Sequence, residues 1–142
     1  MPLYLSENFT LTEMCHTDTG LDNTPDSHSA QKLYYLCQFI LQQTRDKHGR
    51  LKINSGYRSP EVNDKARGSK ASQHMRGEAA DIVPLDAILY DVFKWIALNC
   101  TFGQIIIYPD RGFIHVSLPR LLQENQDAQI CLNGIYSKWE ET

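Results

Sequence analysis

Between positions 28 and 48 the apolar residues Leu33, Leu36, Cys37, Ile40 and Leu41 recur at i, i+3, i+4, i+7 and i+8. That is the single stripe of an amphipathic helix. Asp26 or Ser27 can cap its start, and Gly49 follows its end. A second stripe, Leu85, Ile88, Leu89, Val92, Phe93 and Ile96, predicts a helix from about Asp86 to Asn99. Between the two stripes the period changes. "LKIN" (51–54) predicts a short strand, and "SGYRSPEVN" (55–63) a turn opening into a short helix. There Ser59 is placed to cap and Pro60 suits the first helical position. "RGSKASQH" is expected to be a loop, and "AADIV" (79–83) a strand ended by Pro84.

Strands dominate the later part of the chain. "GQIIIY" (103–108) and "GFIHVSL" (112–118) flank "PDRG", which is turn chemistry and predicts a hairpin. "AQICLNG" predicts another strand, and the tail "IYSKWEET" a closing strand or a loosely held end. Helices early and strands late give an α+β fold, with two main helices against a small, mainly antiparallel sheet.

Composition narrows the field. A chain of 142 residues fits one domain spanning 1–142. The formal net charge is −3, so no basic field points to nucleic acid, and an anionic substrate must be caught by a local site. No apolar run approaches a membrane span. The opening "MPLYLSENFTLTEM" lacks the early basic residues and apolar core of a secretory signal, so synthesis in the cytoplasm is expected. Cys15, Cys37, Cys100 and Cys131 form no C-x-x-C pair, and two fall on helical apolar faces. Free buried thiols are therefore expected rather than disulfides.

Strand parity locates the candidate chemistry. In "GFIHVSL", alternation sends Ile114, Val116 and Leu118 to the core and Phe113, His115 and Ser117 to the other face. In "AADIV", Ala79, Asp81 and Val83 share one face. A carboxylate in mid-strand asks for a cationic partner. His74 lies just upstream, with Gly77 giving the backbone room to turn. Two imidazoles and a carboxylate are the donor set of a catalytic zinc site, whose open fourth position holds a water acidified to a pKa of roughly 7. With five histidines and 17 acidic residues in the chain, this spacing alone does not separate zinc from a plain His–Asp hydrogen bond.

Three stretches add specificity. "SGYRSPEVN", "GSKASQHMRGEAADI" and "GFIHVSL", in that order, resemble the zinc D-Ala-D-Ala carboxypeptidase family. Its relatives include phage L-alanyl-D-glutamate endolysins and bacterial murein endopeptidases, and its fold is shared with hedgehog-type signalling domains. The family's S-x-H-x(6)-D motif matches Ser72, His74 and Asp81, and its last ligand, in a short H-V strand, matches His115. "NFTLTEM" and "GLDNTP" resemble the start of small phage and prophage members.

The resemblance implies Zn²⁺ held by His74, Asp81 and His115, and a peptidase acting on peptidoglycan stem peptides as a carboxypeptidase or an endopeptidase. It implies no nucleic-acid or membrane partner, a monomer, and action on the cell wall after phage lysis or from a virion. Arg58 matches a family arginine that can hold a substrate carboxylate or an oxyanion. Ser72 and Gln104 are expected to support the ligands or substrate, and Tyr57 and Tyr108 to line the cleft. Many relatives carry an acidic residue three positions before the last histidine, where this chain has Gly112. Others carry a catalytic side chain five before it, and here that is Asp110, the expected general base. Glu78 is expected to point outward, and His16, His28 and His48 to be surface residues. The alternative is a non-catalytic, zinc-containing module of the same fold that binds peptidoglycan or protein.

Overall fold

The computed structural model describes residues 2–120 and 126–141. The long helical stripe is realised as α2 (Ser27–Leu36), a π-helical turn (Cys37–Leu41) and α3 (Gln42–His48), one after another without a break. Asp26 caps it, its carboxylate accepting the Ser29 N–H at 2.7 Å. Leu33, Leu36, Cys37, Ile40 and Leu41 are all fully buried, as their spacing demands. α4 (Pro60–Lys65) begins as expected, with the Ser59 hydroxyl accepting the Val62 N–H at 3.2 Å.

Six strands form the main sheet. They are β3 (Leu51–Ser55), β4 (Ala79–Pro84), β5 (Gln104–Tyr108), β6 (Phe113–Ser117), β7 (Asp127–Leu132) and β8 (Ile135–Lys138), in the order β3-β4-β6-β5-β7-β8. The sheet is mainly antiparallel, as expected, but mixed at one pair: β5 and β7 run parallel, from Gln104 opposite Asp127 to Ile107 opposite Ile130. Pairing direction depends on where the chain returns, which alternation along one strand does not encode. One face carries Ile82, Ile105, Ile107, Ile114 and Val116 against the helices, each at most 2 % exposed. Burying side chains of this size stabilises by about 1.5–3 kcal/mol each. The opposite face is an open groove.

α5 (Leu89–Asn99) starts three residues later than the apolar stripe implies. Asp86 is used elsewhere: its carboxylate accepts the Arg50 backbone N–H at 2.7 Å and the Arg50 guanidinium at 2.7 and 3.0 Å. That clamp holds the 85–88 segment as a bend, and Leu85 and Ile88 stay exposed. The tail is a true closing strand. After β8, the Trp139 ring packs edge-on against Phe93 at 5.4 Å and its N–H donates to the Tyr90 hydroxyl; Thr142 lies outside the described residues.

The N-terminal ribbon was not legible beforehand. β1 (Tyr4–Ser6) pairs with β2 (Phe9–Thr10), and α1 (Leu11–Met14) follows, capped by Thr10. Elements of two to four residues are too short to show a period. They bury Phe9 and Met14 and bring the Met14 carbonyl under the 55–58 turn. All four cysteines are free, and burial pushes the Cys37 thiol up to about 12 and Cys100 to about 11.

Candidate metal centre

The first of the candidate ligands is fixed by local backbone chemistry. His74 lies not in an open loop but in a 3₁₀ turn, Gln73–Arg76, whose capping residue Ser72 accepts the His74 N–H at 3.2 Å. Gly77 ends the turn at φ 71, and a Cβ there would meet the Ser29 carbonyl at 2.2 Å. The turn is thus seated against α2 at a distance only glycine permits. The ring is fixed as well: His74 Nδ1 donates to the Gly56 carbonyl at 2.7 Å, and the Arg58 N–H donates to the His74 carbonyl at 3.0 Å. Gly56 is itself pressed against Met14, where a Cβ would lie 2.2 Å from the carbonyl oxygen. The S-G-Y-R turn and the S-x-H turn therefore brace each other.

The other two ligands follow from strand register. Asp81 on β4 and His115 on β6 are directly opposite in an antiparallel pair, so their side chains share the groove face. Asp81 Oδ1 lies 2.9 Å from His115 Nδ1 and 3.3 Å from His74 Nε2. One ligand atom from each of the three residues lies within 4.8 Å of the others.

The donor set fits a cation. A carbonyl only accepts, so the proton of neutral His74 sits on Nδ1 and a lone pair sits on Nε2. That lone pair faces a carboxylate oxygen, a repulsive arrangement unless a positive charge lies between them. All three side chains are poorly exposed, at 6 %, 14 % and 15 % for His74, Asp81 and His115. Burial alone would raise the Asp81 carboxyl, but the His115 N–H at 2.9 Å and the two adjacent imidazoles overcome it and hold the group well below the usual carboxylate range. Two imidazoles and one carboxylate suit zinc with a coordination position left open.

Around these ligands runs a groove of about 440 Å³. Arg58 lines it, with Nε donating to the Ser55 hydroxyl at 2.9 Å and Nη2 lying 3.6 Å from Asp81 Oδ2. Gln104 lines it too, its amide donating to Asp127 Oδ2 at 3.0 Å. Tyr108 forms part of the wall, stacked on Phe113 at 4.4 Å, with its hydroxyl 3.3 Å from that of Tyr136. Burial and the Tyr136 hydroxyl push the Tyr108 phenol up, so it is a neutral hydrogen-bond group. A larger apolar hollow beside Tyr35, Phe39 and Leu118 carries no carboxylate or imidazole among the described residues.

Other candidates lie elsewhere. Tyr57 is buried in the core and faces the neighbouring hollow behind Arg58, not the groove. Asp110 sits at the β5–β6 turn, exposed, and its carboxylate accepts the Asn133 N–H at 3.2 Å; it is not among the groove residues. Glu78 turns inward and pairs with Arg76 at 3.1 Å, because the 3₁₀ turn folds Arg76 back over it. His48 is partly buried, edge-on to Trp95 at 5.4 Å, while His16 and His28 are exposed. Sequence reasoning missed Arg67, Arg111 and Tyr136, all of which line the groove. Each is a polar residue of a turn or edge strand, where no periodic signal exists.

Residues 7–117, more than three quarters of the chain, match the family model described as Peptidase M15. No curated protein matches the chain. The match ends before β7 and β8, so Tyr136 joins the groove from outside the matched region.

Proposed function

The chain belongs to the peptidase M15 family, a family of zinc-dependent peptidases, and on that premise we propose that it hydrolyses peptide bonds in the stem peptides of peptidoglycan. The observation that carries this reading is the convergence of His74 Nε2, Asp81 Oδ1 and His115 Nδ1 at the floor of an open groove inside the matched region. Zinc bound there supplies Lewis-acid polarisation of a carbonyl and acidification of water.

The protein's own groups do the rest. The strand pair and the 3₁₀ turn hold the three ligands before any substrate arrives. Arg58, tethered by Ser55, presents its remaining N–H groups to a substrate carboxylate or to the oxygen on which charge develops. Ser72 braces His74, and Gln104, tied to Asp127, offers a polar contact along the groove. Asp110 is the group assigned to take the proton from the attacking water and pass it to the leaving amine, which requires its bond to Asn133 to open.

One observation favours a second reading. Among the described residues lining the groove, Asp81 is the sole carboxylate, and it is a metal ligand. A site without a second acid is what a zinc-containing binding module of peptidoglycan or protein would show. Mass spectrometry of purified muropeptides incubated with the protein, with and without a chelator, separates the two. A new product that vanishes with chelator establishes the peptidase. Intact muropeptides that zinc-loaded protein nonetheless binds establish the binding module.

A further inference from the structure

The walls of the groove carry a charge pattern opposite to that of the whole chain. The chain has 17 acidic and 14 basic residues, yet among the described residues Arg58, Arg67 and Arg111 line the groove against a single carboxylate, Asp81. Arg58 is the one of the three committed to that carboxylate. Arg67 and Arg111 have no acidic partner within 4.0 Å among the described residues.

Aromatic rings hold the Arg111 side chain, and a fixed turn holds the Arg67 backbone. The Arg111 guanidinium lies over the rings of Tyr108 and Phe113, at 5.7 and 5.2 Å from their centroids. Its sequence neighbour Asp110, the obvious ion-pair partner, is turned away to the Asn133 N–H. Arg67 sits just past α4 in the left-handed region at φ 56, unusual for a side chain of its size. That turn is fixed by Asn63: its carbonyl accepts the Gly68 N–H at 2.9 Å, and its side-chain amide donates to the Ser69 carbonyl at 2.9 Å. Two guanidinium forks on one groove, without acidic partners among the described residues, are a ready receptor for planar anions.

We propose that the groove beyond the metal ligands is a carboxylate subsite, in which Arg67 and Arg111 select an acidic peptide whose side-chain or backbone-terminal carboxylates are free rather than amidated. The proposal rests on the peptidase reading for the identity of the ligand as a peptide. The Tyr108 and Tyr136 hydroxyls, 3.3 Å apart, line the same groove and leave one O–H free to donate to the carboxylate.

The test is binding by calorimetry to zinc-loaded protein. The probes are a stem tetrapeptide with free carboxylates and the same peptide with those carboxylates amidated. The free acid should bind at least about tenfold more tightly, and the preference should shrink as salt rises. Arg111→Gln and Arg67→Gln should each remove most of the preference, leave affinity for the amidated peptide unchanged and retain zinc; Arg111→Lys and Arg67→Lys should keep part of it. Equal affinity of the native protein for the two peptides, or variants that weaken both peptides alike, would overturn the subsite. Cleavage in parallel samples distinguishes the two readings. A carboxylate preference without cleavage keeps the subsite and removes the peptidase; cleavage without preference does the reverse.

Discussion

The two ends of the groove are built in different ways. At the metal end, His74, Asp81 and His115 are set by a 3₁₀ turn and a cross-strand pair, poorly exposed, with both imidazoles within 3.3 Å of the Asp81 carboxylate. At the outer end, Arg67, Arg111 and Tyr136 come from two turns and an edge strand and are exposed. Where backbone hydrogen bonds fix the positions, a site is complete before its ligand arrives. Where turns present long side chains, substrate completes it. Changes at the metal end should therefore abolish function, and changes at the outer end should alter preference.

His115→Ala should break the comparison outright, because it removes a third of the donor set; zinc measured by atomic absorption should fall below about a tenth of an equivalent in zinc-replete medium. Full retention of metal would show that His115 is not a ligand.

Asp110→Asn comes next. If the exposed turn supplies the proton-transfer group, kcat on a muropeptide should fall by about a hundredfold or more with zinc content unchanged. An unaltered kcat would confine all the chemistry to the metal end. Gly112→Asp is the companion variant: Gly112 has φ 77 with open space around it, and aspartate tolerates that conformation better than most side chains. A large gain in kcat would show that a base is missing from the native protein.

Ser72→Ala should loosen the metal end without dismantling it. The His74 N–H loses its acceptor, and zinc affinity by competition with a chromogenic chelator should weaken about tenfold, the range seen when groups supporting a ligand are lost. No change would mean that the Gly56 contact alone orients the ring.

The smallest effect concerns acid. The folded Asp81 carboxyl lies below its unfolded value of about 3.9, so its contribution to stability is complete above that value and is lost as pH falls through the folded one. The melting temperature of the metal-free protein should decline between about pH 5 and pH 2, and Asp81→Asn should remove part of that decline. An identical decline in the variant would assign acid sensitivity to groups away from the metal end.

Much of this was legible in the chain, for reasons visible in particular residues. The buried stripe from Leu33 to Leu41 and the parity of Ile114 and His115 were readable because helix and strand periods map sequence onto faces. The candidate zinc ligands were legible only when strand parity was joined to the family motif. The start of α5 was misread because Asp86 serves Arg50 across the sheet edge, a contact 36 positions away in the chain. Glu78 was misjudged for a similar reason, since its inward turn depends on a neighbour's conformation.

The sequence by itself determined the two main helices and the faces of the strands, because these follow from local periodicity, and it marked the candidate donor residues through the family motif. Tertiary structure decided the rest: that β7 returns parallel to β5, that Gly56 orients the His74 ring, and that Arg67, Arg111 and Tyr136 meet around one groove. The physical reason is that these outcomes depend on contacts between segments far apart in the chain. Residues in turns and on edge strands carry no period from which such contacts can be read.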